Sequence, residues 1–178
     1  MNRAAQLVAN PRDRPPLRRA ARAVVALALG LLSTSALAAF TCSASTAGLA
    51  FGAYDVFGAA ATNGNATVAI TCTLIPPAVD GNVSYAVSLS AGHSNSFVQR
   101  QMFTGANLLG YNIYTANTFA VVWGDGTGST TTETGTMKLF VIINPTQTVN
   151  LTAYGRIPAL QDVAVGSYSD NITVTVNF

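Results

Sequence analysis

The chain has 178 residues, 49% of them hydrophobic and only 9% charged, whereas soluble domains usually carry about 25% charge. That length suits one domain of ordinary size. The Ala, Thr, Ser, Asn, Val and Gly that replace the charges favour strands and turns, a composition of exported all-β proteins more than of cytosolic enzymes. The net charge of +2 divides unevenly. Residues 1–38 hold six arginines against Asp13, a net of +5, while residues 39–178 hold three cations against six acids, a net of −3. The larger segment therefore has no basic footprint for nucleic acid.

The chain opens with an arginine-rich stretch that ends at Arg22. An apolar run follows from Ala23 to Leu32, then Ser33-Thr34-Ser35 and the small-residue pattern Ala36-Leu37-Ala38. This order predicts a Sec signal peptide over residues 1–38. The apolar run is about half of the roughly 20 residues that span a bilayer, and an uncleaved anchor is the alternative. The mature domain is expected over 39–178. It contains two cysteines, Cys42 and Cys72. An even count in an exported chain points to one disulfide, worth roughly 3–4 kcal/mol by chain entropy; two free thiols or a metal pair is the alternative.

Beyond residue 38 the apolar residues recur with period 2, which predicts strands. The alternating sets are Val68, Ile70, Cys72 and Leu74; Tyr85, Val87 and Leu89; Met137, Leu139, Val141 and Ile143; Val149, Leu151 and Ala153; and Ile172, Val174, Val176 and Phe178. Phe140 and Ile142 make the third set apolar on both faces. Turn chemistry is expected at Asn63-Gly64-Asn65, Pro76-Pro77, Asp80-Gly81-Asn82, Asp125-Gly126, Asn144-Pro145 and Val165-Gly166-Ser167. Gly124 to Gly135 reads as a loop. The spacing suits an all-β sandwich of seven or so short strands in a single domain.

Candidate chemistry is sparse. His93 is the lone histidine, in a stretch that reads as a loop, with no acid nearby in sequence to orient it as a base. Trp123-Gly124-Asp125-Gly126 could be a sugar-stacking aromatic beside a calcium loop, but calcium needs several spaced carboxylates; a turn with a packed tryptophan is the better reading. Tyr154-Gly155-Arg156-Ile157-Pro158 reads as an edge strand ending at a proline turn, with Arg156 pairing locally. No phosphate loop, dinucleotide fingerprint or zinc motif occurs. No catalytic residue, cofactor, metal, nucleic acid or small-molecule substrate is expected.

An ordered series of short motifs runs through the chain: Phe51-Gly52-Ala53-Tyr54-Asp55 after Cys42, Ile70-Thr71-Cys72, Tyr85 to Gly92, Arg100-Gln101-Met102, Leu108 to Tyr114, Trp123 to Gly126, Tyr154 to Ala159, Gln161-Asp162-Val163 and Gly166 to Asp170. In this order they resemble the spore coat protein U domain, which also forms subunits of archaic chaperone–usher pili. The resemblance spans nearly all of 42–178. It implies an immunoglobulin-like β-sandwich lacking its last strand. The gap would be filled first by a periplasmic chaperone and then, at an outer-membrane usher, by the extension of another pilin subunit, through strand addition.

On that scheme Ile172, Val174, Val176 and Phe178 border the open groove and contact the donor strand or chaperone. Cleavage after Ala38 leaves three residues ahead of Cys42, against about ten needed to lie along a groove, so the subunit is expected to accept a strand without giving one, in a tip or minor position. The expected role is adhesion or biofilm formation, with passage through the periplasm to the cell surface. The alternatives are a spore or cell coat protein made without a pilus, and a tip adhesin that binds a glycan.

Overall fold

The computed structural model describes residues 40–178, so the expected leader over 1–38 lies outside the described residues. Eight strands and one short 3-10 turn form two layers. In chain order the strands are β1 (Phe40–Thr46), β2 (Thr62–Leu74), β3 (Gly81–Leu89), β4 (Arg100–Thr104), β5 (Asn107–Tyr114), β6 (Glu133–Leu139), β7 (Thr146–Ile157) and β8 (Val174–Asn177). One sheet has the order β1-β2-β7-β5-β4 and the other β6-β3-β8. All strand pairs are antiparallel. The molecule is thus an all-β, immunoglobulin-like sandwich.

Alternation builds the core. On β2, Ala66, Val68, Ile70, Cys72 and Leu74 face inward, opposed by Val83, Tyr85, Val87 and Leu89 of β3 and by Met137 and Leu139 of β6. The outward positions carry hydroxyls that bond across strands: Thr71 to Thr148 at 2.8 Å and Thr73 to Thr146 at 2.9 Å. Cys42 and Cys72 are directly opposite in the β1–β2 ladder and form a disulfide. β1 buries little else, so this bond and the ladder are what fix it to the sheet.

Three expectations are corrected. Asn63-Gly64-Asn65 is no turn; it lies inside β2, and Gly64 faces Gly155 across the β2–β7 ladder. The strand expected to continue through Ile143 stops at Leu139, because Gly81↔Leu139 is the last pair that β3 can offer. The chain then closes a tight turn through reciprocal Phe140–Asn144 backbone bonds of 3.0 Å, leaving Ile142 94% exposed. Finally, the Tyr154 to Ile157 stretch belongs to β7, which is the central strand of its sheet and not an edge.

Candidate functional site

The smaller sheet does not cover the whole inner face of the larger one. Over the uncovered part runs an open trough with two walls. One wall is the segment after β1, residues 46–57; the other is the segment leading into β8, residues 163–174. The trough has a narrow chamber of about 330 Å³, floored by Ala66, Val68 and Ala153, and a wide one of about 830 Å³, floored by Leu109 and Ile157. Phe51, Met102 and Tyr168 border both chambers. Residues 46–51 face 168–174 in the first chamber and 49–57 face 163–168 in the second, so the walls run antiparallel.

The first wall is a strap pressed onto the sheet. A Cβ on Gly64 would lie 2.5 Å from the Ala50 carbonyl oxygen, and one on Gly155 would meet Leu49 and Phe51 at 2.6 to 2.7 Å. Because Gly64 and Gly155 are cross-strand partners, together they form a saddle without side chains in which the strap lies. Leu49 and Phe51 anchor it, and the Phe51 ring stands edge-on to Tyr111 at 5.7 Å. At its far end the Tyr54 hydroxyl donates to the Pro158 carbonyl and accepts from the Gln161 N–H. Among the described residues, no main-chain hydrogen bond holds Gly48–Ala53.

The second wall ends in β8, the outermost strand of its sheet, paired to β3 on one side only. Ile172, Val174 and Val176 point toward the core yet stay half-buried, and Phe178 is exposed. Of the four sequence candidates, Ile172 and Val174 line the narrow chamber, whereas Val176 and Phe178 lie further along β8 and its end, outside both chambers. Asp170 secures this wall: its carboxylate accepts from the Tyr111 hydroxyl at 2.7 Å and from the His93 backbone N–H at 2.9 Å. Burial, then the bond to Asp170, pushes the Tyr111 pKa far up. His93 itself is exposed and stacks on Phe103.

Two features that sequence reasoning missed rigidify the rim. Arg100 on β4 is fully buried, and its guanidinium spans the layers. It donates to the Ser90 carbonyl (2.9 and 3.0 Å), the Trp123 carbonyl (2.8 Å) and the Asn112 side-chain oxygen (2.7 Å). Burial lowers its pKa, opposed by Tyr111 and Asp170. Gln161 replaces a strand residue: where β7 stops at Pro158, its amide both accepts from the Gly110 N–H and donates to the Gly110 carbonyl, each at 2.8 Å. Trp123 is wholly buried, with its indole N–H on the Val87 carbonyl, so it offers no face to a sugar. Arg156, expected to pair locally, lies over the Phe119 ring at 4.6 Å.

Comparison with known proteins agrees with this architecture. A family model described as Spore Coat Protein U domain matches residues 28–175. Among solved structures, the chain is similar to one from a complex of CsuC and CsuE, a chaperone–tip adhesion subunit pre-assembly complex from archaic chaperone–usher Csu pili of Acinetobacter baumannii. The TM-score is 0.53 at 23% identity, covering 79% of this chain and 40% of that one. At that identity the likeness is one of fold. A search of curated proteins gave no match.

Proposed function

Because the chain belongs to the Spore Coat Protein U domain family, we propose that it is a structural subunit of a bacterial surface fibre, assembled by strand addition in a chaperone–usher system. The observation that carries this reading is the trough, an apolar slot between two antiparallel walls with no strand in it. A strand laid there would find unpaired main chain along the strap and along β8, and its alternate apolar side chains would enter the two chambers. Ile172, Val174, Val176 and Phe178 would contact it. A periplasmic chaperone would supply that strand first, and another subunit would replace it at an outer-membrane usher. A Sec leader over 1–38 would bring the chain to the periplasm.

The subunit accepts a strand and does not donate one. Residues from Phe40 to Thr46 are paired along their whole length with β2 and pinned by the disulfide. Any donor segment would have to come from ahead of Phe40, where a cleavage after Ala38 would leave a single residue, Ala39. Such a subunit belongs at a tip or in a minor position of an adhesive, biofilm-forming fibre. Immunogold labelling should then mark fibre ends; label repeated along the shaft overturns the acceptor-only role.

The deciding experiment is isolation of the chain from the periplasm of its native host. Capture of a two-domain chaperone at one-to-one stoichiometry, displaced only by a donor-strand peptide, supports the reading. A monomer that unfolds cooperatively and captures nothing replaces it with a self-sufficient coat protein. A glycan-binding tip adhesin keeps no support from Trp123, since that ring is sealed inside.

A further inference from the structure

The larger sheet has a second face, on the side away from the trough. None of its five strands carries an aspartate or glutamate, although residues 39–178 hold six acids against three cations. The cations of this sheet are Arg100, which is fully buried, and Arg156 on β7, which is half-buried. Strand alternation turns Tyr154 and Arg156 outward, because Ala153, Gly155 and Ile157 face inward. The ladders set Asn65, Tyr154 and Tyr114 in one row across β2, β7 and β5, and Asn63 beside Arg156 in the next. Phe119 closes the group. Its ring stands edge-on to Tyr114 at 5.5 Å, and the Arg156 guanidinium lies over it at 4.6 Å. The Phe119 backbone has a left-handed φ of 53°, a conformation that bulky residues seldom adopt. Among the described residues, the polar ends of Arg156, Tyr154, Tyr114, Asn63 and Asn65 have no hydrogen-bond partner. No buried side-chain polar atom there is left without one, so these ends are open to water.

We infer that this outer patch binds an acidic polysaccharide, a sugar chain that bears uronate carboxylates. Phe119 covers one face of the guanidinium and leaves its N–H edge to meet a planar carboxylate in two parallel bonds. No acid of the sheet competes for that edge, so its charge is complemented only by an anion from outside. The cross-strand neighbours Tyr154 and Tyr114 offer ring surface and phenol hydroxyls, and Asn63 and Asn65 offer amides that both donate and accept. Those are the groups that the hydroxyls and C–H faces of a sugar ring match. An acidic peptide would bind a sheet through its main chain, and here the main chain of β2, β7 and β5 is already paired in the ladders. A densely sulfated chain would need several cations, and this face has one. The patch lies on the opposite side of the sheet from the trough, so sugar binding is independent of whether the trough accepts a strand.

The test uses the chain purified from the periplasm and measures its binding to polygalacturonate by titration calorimetry, with dextran and dextran sulfate as comparison polymers. The parent should bind polygalacturonate at least about tenfold more tightly than dextran, the scale of one charge-assisted contact. Arg156→Gln should lose a similar factor. Arg156→Lys should recover only part of it, because an ammonium lacks the guanidinium's fork. Tyr154→Thr keeps a strand-favouring residue and leaves the charge untouched, yet it should also weaken polygalacturonate binding. None of these side chains lines the trough, so melting temperatures and one-to-one chaperone capture should match the parent's. A parent that does not bind polygalacturonate overturns the inference. So does a parent that prefers dextran sulfate and is indifferent to Tyr154→Thr, since that is attraction between charges alone. If the parent captures no chaperone but binds the uronate polymer through Arg156 and Tyr154, the strand-accepting reading fails while the outer patch stands.

Discussion

The sealed side of the sandwich and the trough side obey the same alternating pattern, yet they end in different states. Under the smaller sheet, Ile70, Val87, Trp123, Met137 and Leu139 are essentially without solvent contact. Along the trough, Leu49, Phe51, Ile172 and Val174 pack against that same core and remain half-open. The difference lies in layer coverage rather than residue type: an inward apolar side chain is sealed only where a second layer lies above it. Side chains on the first side hold the domain together. Those on the second are available to whatever completes the layer.

Arg100→Ala should break the sealed side hardest. It leaves the Ser90 and Trp123 carbonyls without their donor, while the Asn112 oxygen keeps only the Ile113 N–H, and each buried group left unpaired costs about 1–3 kcal/mol. Denaturant melts should show the loss, and Arg100→Lys should not restore it, because an ammonium cannot span all three acceptors in the guanidinium's planar fork. Next is the boundary between the regions. Gly64→Val places a side chain against the Ala50 backbone, and overpacking of this kind costs about 1–3 kcal/mol. Lifting the strap should also make residues 48–54 more susceptible to limited proteolysis, while hydrogen exchange in β3 and β6 stays protected.

On the open side, Val174→Ser should cost the free domain less than about 1.5 kcal/mol, since the side chain is only half-buried. The same change should lower chaperone capture by a larger factor than it lowers stability. Equal losses in both would erase the distinction between the two regions. The smallest effect concerns Glu133, at the start of β6, whose carboxyl burial lifts above its ordinary 4.5. A raised carboxyl pKa means that the folded state holds the proton more tightly than the unfolded chain. That contribution is complete below 4.5 and is lost as pH rises through the folded value. Glu133→Gln should therefore raise the melting temperature slightly at neutral pH, with the gap to the parent closing below 4.5.

Period-2 alternation alone identified β2, β3, β7 and the apolar half of β8, since a strand with one inward face needs no other information to be recognised. Cysteine count and export chemistry foretold the Cys42–Cys72 bond. The failures have a common cause. Gly64 and Gly155 read as a turn residue and an edge residue, although each sits on the inward parity of its strand, beside Ala66 and Ala153; that parity was the available clue to a segment lying on top of them. Phe140 to Ile143 looked like strand because apolar runs carry no mark of where the partner strand ends. Arg100 stood out only as part of one family-like motif and gave no sign of its buried role, because its acceptors come from Ser90, Asn112 and Trp123, which only folding brings together.

The sequence by itself determined the class of fold, the inward face of most strands and the disulfide, because these depend on local period and on pairing chemistry. Only the tertiary structure decided which inward faces are covered, where the strap lies and where the trough opens, because coverage depends on how far each sheet reaches over the other, and that reach is set by contacts among residues distant in the chain.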